Sequence, residues 1–164
     1  MNRPPLWKHV RDILILPFTV TVVVPYFIYQ NNTKLILDNL MTKITGAILF
    51  VFGMSLFIYA VSLFRKKGEG TLAPWTPTQK LIVSGPYRYC RNPMITGVLF
   101  MLTGESLFLN STGILVWAGA FLLINTLYFV VYEEPSLEAR FGDSYRHYKA
   151  HVPRWIPNIK PYDR

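Results

Sequence analysis

ITGAILFVFGMSLFIYAVSLF, residues Ile44–Phe64, contains no charged side chain, and its reading decides the fold class. A run of about 20 apolar residues is what one helical crossing of a bilayer requires. Outward from it, Ser106–Tyr132 is equally free of charge. Shorter apolar blocks lie at 13–29 and 93–109. The chain therefore reads as one all-α, polytopic transmembrane helical bundle occupying residues 1–164, with about four spans near 13–29, 44–64, 93–109 and 114–132. Residues 133–164 form a cytoplasmic C-terminal segment of short helices. Within the quoted stretch, Gly46, Gly53 and Ala60 recur every seventh residue, which lays small side chains along one helix face for close packing.

Charge sets the topology. Lys and Arg number three before the first span, two in the first loop, six after the second span, none in the third loop and six after the fourth. Four spans place fifteen of them on one side and two on the other, and the positive-inside rule makes that side cytoplasmic, with both termini on it. The membrane is then the plasma (inner) membrane of a prokaryote or an endomembrane. The same distribution accounts for the net charge of +8 without nucleic acid, for which no binding motif is present. Arg3, Lys8 and Arg11 precede an apolar run as in a signal peptide, but no small-x-small cleavage site follows and Pro17 and Pro25 interrupt it. This first span is expected to be retained and bent, with neighbouring helices covering the carbonyls that the prolines leave free.

The remaining landmarks are local. Pro74-Trp75-Thr76-Pro77 reads as an interfacial loop, and Leu81-Ile82-Val83 as a short apolar segment lying on the surface. Gly85-Pro86 marks a turn, and Asn92-Pro93 starts a helix, with Asn92 as cap and Pro93 in the first helical position. Asn110-Ser111-Thr112-Gly113 is a tight turn between spans three and four, so their cytoplasmic ends must meet. Arg88, Arg91 and Asn92 are thereby brought toward Glu133 and Glu134. Gly142 stops one short helix and Asp143 caps the next, which carries Tyr145, Tyr148 and Val152 on one face.

The chemistry these residues could support is limited. A charged corner at a membrane surface is either an ion-pair network or a site for a zwitterionic ligand. Glu105 lies twelve residues beyond Pro93, about 18 Å along a helix; it reads as a group facing a bundle or cavity, as a protonated structural glutamate, or as a solvated residue near the far interface. His147 and His151 are four residues apart without a further clear ligand, so no metal is expected. Cys90, the single cysteine, has no partner for a disulfide and no base beside it. Phosphate-binding glycine loops and nucleophile elbows are absent.

Two motifs carry a resemblance over about the last half of the chain. Gly85-Pro86-Tyr87-Arg88-Tyr89-x-Arg91-Asn92-Pro93-Met94-x-x-Gly97 is followed by Glu133-Glu134-x-x-Leu137-x-x-x-Phe141-Gly142-x-x-Tyr145-x-x-Tyr148-x-x-x-Val152-Pro153. Together they resemble the isoprenylcysteine carboxyl methyltransferase and phospholipid methyltransferase superfamily of integral membrane methyltransferases. The resemblance implies S-adenosylmethionine at the cytosolic mouth of the helical hairpin, closed over by the C-terminal segment, and a lipophilic small molecule or lipid entering from the bilayer as methyl acceptor. By position, Tyr87, Arg88, Arg91, Asn92, Pro93 and Gly97 would shape the cofactor pocket. Glu133 and Glu134 would hold its polar groups, while Tyr145 and Tyr148 cover it.

This chain carries Asn92 and Ile95 where the family motif usually has His and Tyr, and Thr126–Tyr132 lacks the arginine suited to orienting a substrate carboxylate. Both departures argue against a strict isoprenylcysteine substrate. Phospholipid amine N-methylation and thiol methylation stand as alternatives, the former with Glu105 or Tyr128 as candidate catalytic group. Readings of another class are a non-catalytic membrane assembly or transport protein and an NADPH-dependent membrane reductase, since some sterol reductases share a similar Arg-x-Pro-x-x-x-Gly corner.

Overall fold

The computed structural model describes residues 14–31, 34, 38–67 and 80–163. Arg3, Lys8, Arg11 and the Pro74–Pro77 loop lie outside them. The elements are α1 (Leu14–Val23), α2 (Val24–Gln30), α3 (Leu40–Lys67), a 3₁₀ turn (Gly85–Arg88), α4 (Pro93–Phe108), α5 (Thr112–Tyr128), α6 (Glu134–Phe141) and α7 (Asp143–His151). A π-helical segment, Phe129–Glu133, joins α5 to α6. The described residues contain no named strand, only an isolated bridge between Lys34 and Ser111, so the fold is all-α as the sequence implies.

Two helices are long and apolar enough by themselves to cross a bilayer, Leu40–Leu63 and Thr112–Phe141. Pro93–Phe108 is apolar but shorter. Two of the four expected spans therefore meet the requirement by length and composition. The helix Thr112–Phe141 has 30 residues, about 45 Å against a hydrocarbon core of about 30 Å. Its last turns stand clear of the core and carry their charged residues to the headgroup level.

The proline prediction is met in α1. This helix is wound with the wide π pitch around Pro17, so the carbonyl of Val20 looks for an N–H five residues on, at Pro25, which has none. The Trp117 indole of α5 donates to that carbonyl at 3.1 Å. Thr21 Oγ1 donates to the Pro17 carbonyl at 2.8 Å. The carbonyl freed by Pro25 is thus satisfied by a neighbouring helix, as a lipid environment demands, while those freed by Pro17 lie outside the described residues.

The seven-residue stripe becomes the main helix contact. A Cβ added at Gly53 would lie 2.5 Å from the Gly97 carbonyl oxygen, and one added at Gly46 would lie 2.7 Å from that of Gly104. The converse contacts are as close, 2.8 Å at Gly97 and 2.6 Å at Gly104. Helices α3 and α4 therefore touch backbone to backbone. Ala60, next in the stripe, is wholly buried against Ile82 and Tyr87.

Beyond the seam, α4 and α5 form the expected hairpin. Asn110 turns with φ 53°, Ser111 Oγ caps α5 by accepting from Ile114 N at 3.3 Å, and Ser106 Oγ donates to the Ser111 carbonyl at 2.8 Å. Val98, Leu102, Ala118 and Phe121 fill the space between the two helices. At the other end Leu81-Ile82-Val83 is not on the surface. Ile82 is buried against Ala60, and Leu81 and Val83 pack on Tyr145, Tyr148 and Val152. The segment is sandwiched between α3 and α7, because α7 supplies an aromatic face that an isolated tripeptide cannot anticipate.

Candidate functional site

The site is built where the 80–92 loop meets α6 and α7. Gly85 has φ +57°, a conformation that favours glycine for the turn. The turn delivers Tyr87 into the interior, where Tyr148 Oη donates to its carbonyl at 2.6 Å. Pro93 opens α4 as expected. Asn92 occupies the capping position, but its side chain makes no capping hydrogen bond. Its carbonyl accepts from Thr96 N at 3.1 Å and Thr96 Oγ1 at 3.2 Å instead.

Glu134 is the centre of the cluster. Arg91 Nη1 reaches Glu134 Oε1 at 2.9 Å, Arg154 Nε reaches the same oxygen at 2.7 Å, and Lys149 Nζ reaches Oε2 at 3.1 Å. The side chains of Arg91 and Glu134 are only 9% and 4% exposed, so the pair is held largely out of water. Arg91 Nη1 also donates to Tyr145 Oη at 3.2 Å. Lys149 is shared with Glu138 at 2.8 Å. Hydrogen bonds to Glu138 and Glu134 raise the Lys149 pKa above the usual lysine value. Burial pushes the Tyr145 and Tyr148 hydroxyls up as well, partly opposed by the Arg91 charge.

Three donors at this corner are left over. Ser84 Oγ, Tyr87 Oη and Arg91 Nε are buried and have no hydrogen-bond partner. An unmatched buried polar group costs about 1–3 kcal/mol. All three belong to the 84–91 stretch, and each can take an acceptor.

The chain then folds a strap across the loop. Arg91 N donates to the Pro153 carbonyl, Asn158 N to that of Tyr89 and Tyr162 N to that of Arg88, each at 2.9 Å. Arg88 Nε donates to the Tyr162 carbonyl at 2.9 Å, and Arg88 also pairs with Asp163. Trp155 lies edge-on to Phe129, with ring centroids 5.6 Å apart. Cys90 is buried beneath the strap, its Sγ donating to the Arg154 carbonyl at 3.1 Å. Burial raises its thiol pKa, which suits packing rather than nucleophilic chemistry.

The expected residues thus divide into groups. Tyr87, Arg91, Glu134, Tyr145 and Tyr148 come together. Arg88 turns to the strap. Glu133 faces away from the arginines and accepts from Tyr128 Oη at 3.3 Å. Gly97 lies in the α3–α4 seam, and Glu105 near the opposite end of α4. Asp143 is the first residue of α7 rather than its cap, and pairs with Arg146 at 3.1 Å. Gly142, at φ 53°, ends α6 as expected and precedes α7. Lys149 and Arg154 were missed. The available signal was the spacing of Tyr145 and Lys149, one helical turn apart, which puts the lysine on the buried face.

Apolar spanning helices ending in a polar, strap-covered corner make this an integral membrane protein. A family model described as phospholipid methyltransferase matches residues 41–144, and the chain belongs to that family. At the family level it is a membrane methyltransferase. An uncharacterized protein of Haemophilus influenzae is 37% identical over 65 residues, which are 38% of this chain and all of that protein.

Proposed function

We propose that the protein transfers the methyl group of S-adenosylmethionine to a lipophilic acceptor drawn from the bilayer, at the Arg91–Glu134 corner. The observation that carries this reading is Arg91 itself: a buried guanidinium anchored on Glu134 and Tyr145 with its Nε–H unmatched. A carboxylate such as the cofactor's is a natural acceptor for that donor, and Tyr87 and Ser84 offer two more. The sulfonium cofactor supplies an electrophilic methyl group. The residues of the chain bind its polar end, fix its orientation and exclude water, and in-line displacement gains most from those contributions.

Acceptor carboxylates and thiolates need no base. An amine must first lose a proton. Four crossings near 13–29, 44–64, 93–109 and 114–132 within a single domain would set this corner, with both termini, in the cytoplasm by the fifteen-to-two distribution of Lys and Arg.

Calorimetric titration of S-adenosylhomocysteine into the protein in lipid nanodiscs tests the reading. Saturable binding is expected, weakened at least about tenfold, or 1.4 kcal/mol, in a folded Arg91→Lys variant that keeps the charge but loses the fork. Absence of binding to folded wild-type protein overturns it.

A second reading is favoured by the three cations that already surround Glu134. In it the network only staples the C-terminal segment to the hairpin. It predicts no cofactor binding and a Glu134→Ala variant altered in stability alone. Binding of NADPH in place of the methyl-donor analogue would support a reductase.

A further inference from the structure

Near the opposite end of α4, a cleft of about 500 Å³ opens between α1, α2, α3 and α4. That volume is within the range of about 300–1,000 Å³ typical of small-molecule sites. Val22, Pro25, Tyr26, Phe50, Val51 and Phe108 are among its lining residues, and among the described residues no lysine, arginine or histidine lines it. Glu105 also lines this cleft, and its Oε2 is buried with no hydrogen-bond partner. Glu134, the carboxylate at the other end of the hairpin, is surrounded by cations. Glu105 has none among the described residues that line the cleft.

We infer that the cleft binds a membrane-borne cationic amphiphile, its ammonium head on Glu105 and its hydrocarbon chain along α2 and α3. Charge complementarity identifies the head group. An ionisable side chain at membrane depth is costly unless paired or hydrogen-bonded, and the described residues of the wall offer no cationic partner. Access identifies the source. Val22, Tyr26 and Val51 at the rim are 47%, 60% and 63% exposed, and on membrane helices such side chains face lipid. A water-soluble cation would have to cross that apolar rim, whereas an amphiphile reaches it laterally. The site lies about 18 Å along α4 from Pro93, so it is distinct from the methyl-transfer corner and does not depend on that assignment.

The test uses the full chain in phosphatidylcholine nanodiscs without methyl donor. Dicyclohexylcarbodiimide, which reacts with carboxyl groups from the bilayer, modifies Glu105, and peptide mass spectrometry reads the extent. N,N-dimethyldodecylamine is the probe, and dodecanol, with the same chain and a neutral head, is the comparison. The amine is expected to protect Glu105 saturably, at a concentration at least about tenfold below that of the alcohol, a preference worth 1.4 kcal/mol. Ala47→Phe, which narrows the cleft and keeps the carboxyl, should weaken protection by a similar factor, while Glu105→Gln sets the background. Equal protection by dodecanol, protection unchanged in Ala47→Phe, or a Glu105 that does not react in amine-free protein would each overturn the inference.

Discussion

The two ends of the α4–α5 hairpin solve the same problem in opposite ways. At one end a buried carboxylate, Glu134, is surrounded by Arg91, Lys149 and Arg154 and roofed by the strap. At the other a carboxylate of the same chemical type, Glu105, stands against an apolar cleft with an oxygen unmatched. Between them α4 meets α3 through reciprocal glycine contacts. Charge is therefore concentrated where the chain leaves the hydrocarbon, and backbone packing does the joining where it does not. The contrast sets buried carboxylate oxygens at the ends and backbone packing in the middle.

The sharpest way to break the contrast is Glu134→Ala. It leaves Arg91, whose side chain is 9% exposed, without its carboxylate, and loss of one partner of a buried ion pair costs about 3–5 kcal/mol. Unfolding by sodium dodecyl sulfate in mixed micelles should show a shift of that order. A shift below about 1 kcal/mol, the value of a solvent-screened surface pair, would mean that the corner is wetter than its geometry implies.

Next comes the middle. Gly53→Ala places a methyl group 2.5 Å from the Gly97 carbonyl oxygen, and overpacking of this kind costs about 1–3 kcal/mol. The same denaturation assay should detect it, while Gly119→Ala, where the added atom meets nothing within 4 Å, should be neutral or slightly stabilising. Trp117→Phe removes the donor to the Val20 carbonyl. Hydrogen bonds between membrane helices average about 0.6 kcal/mol, so a loss of that size is expected.

The smallest effect concerns Lys149. Its side chain is 38% exposed, so solvent screening limits Lys149→Met to about 0.2–1 kcal/mol. Its pKa is raised in the folded state by Glu138 and then Glu134. Its stabilising contribution is consequently complete below the unfolded lysine value and disappears as pH rises through the higher folded one. A stability profile of wild type against Lys149→Met should show a constant gap through neutral pH that closes only in the alkaline range.

How much of this was legible beforehand follows from the range of each interaction. Charge-free runs gave the helices, Gly85-Pro86 and Asn92-Pro93 gave the turn and the helix start, and the spacing of Gly46, Gly53 and Ala60 gave the α3 packing face. All are local patterns. The Arg91–Glu134 pairing was accessible too, because the short Asn110 turn forces two helix ends together. Lys149, Arg154 and the burial of Ile82 were not, since each depends on how α7 and the strap fold back over residues remote in the chain. Local preference also misled at Asn92, a good cap by type whose side chain makes no capping bond. Glu105 was recognised as unusual, but only the positions of α1 and α2 reveal the cleft beside it.

The reciprocal glycine contacts of α3 and α4 carry a genetic consequence. Gly46 meets Gly104 and Gly53 meets Gly97, so the two helices run past each other like a pair of rulers with matching seven-residue marks. An inserted or deleted codon between two marks would rotate everything beyond it by about 100° around the helix axis, replacing a glycine at the contact by a bulky neighbour. Point changes on the lipid-facing sides leave the marks in place, whereas length changes in either helix do not. Related sequences should therefore vary freely in loop length while keeping the interval between these glycines constant.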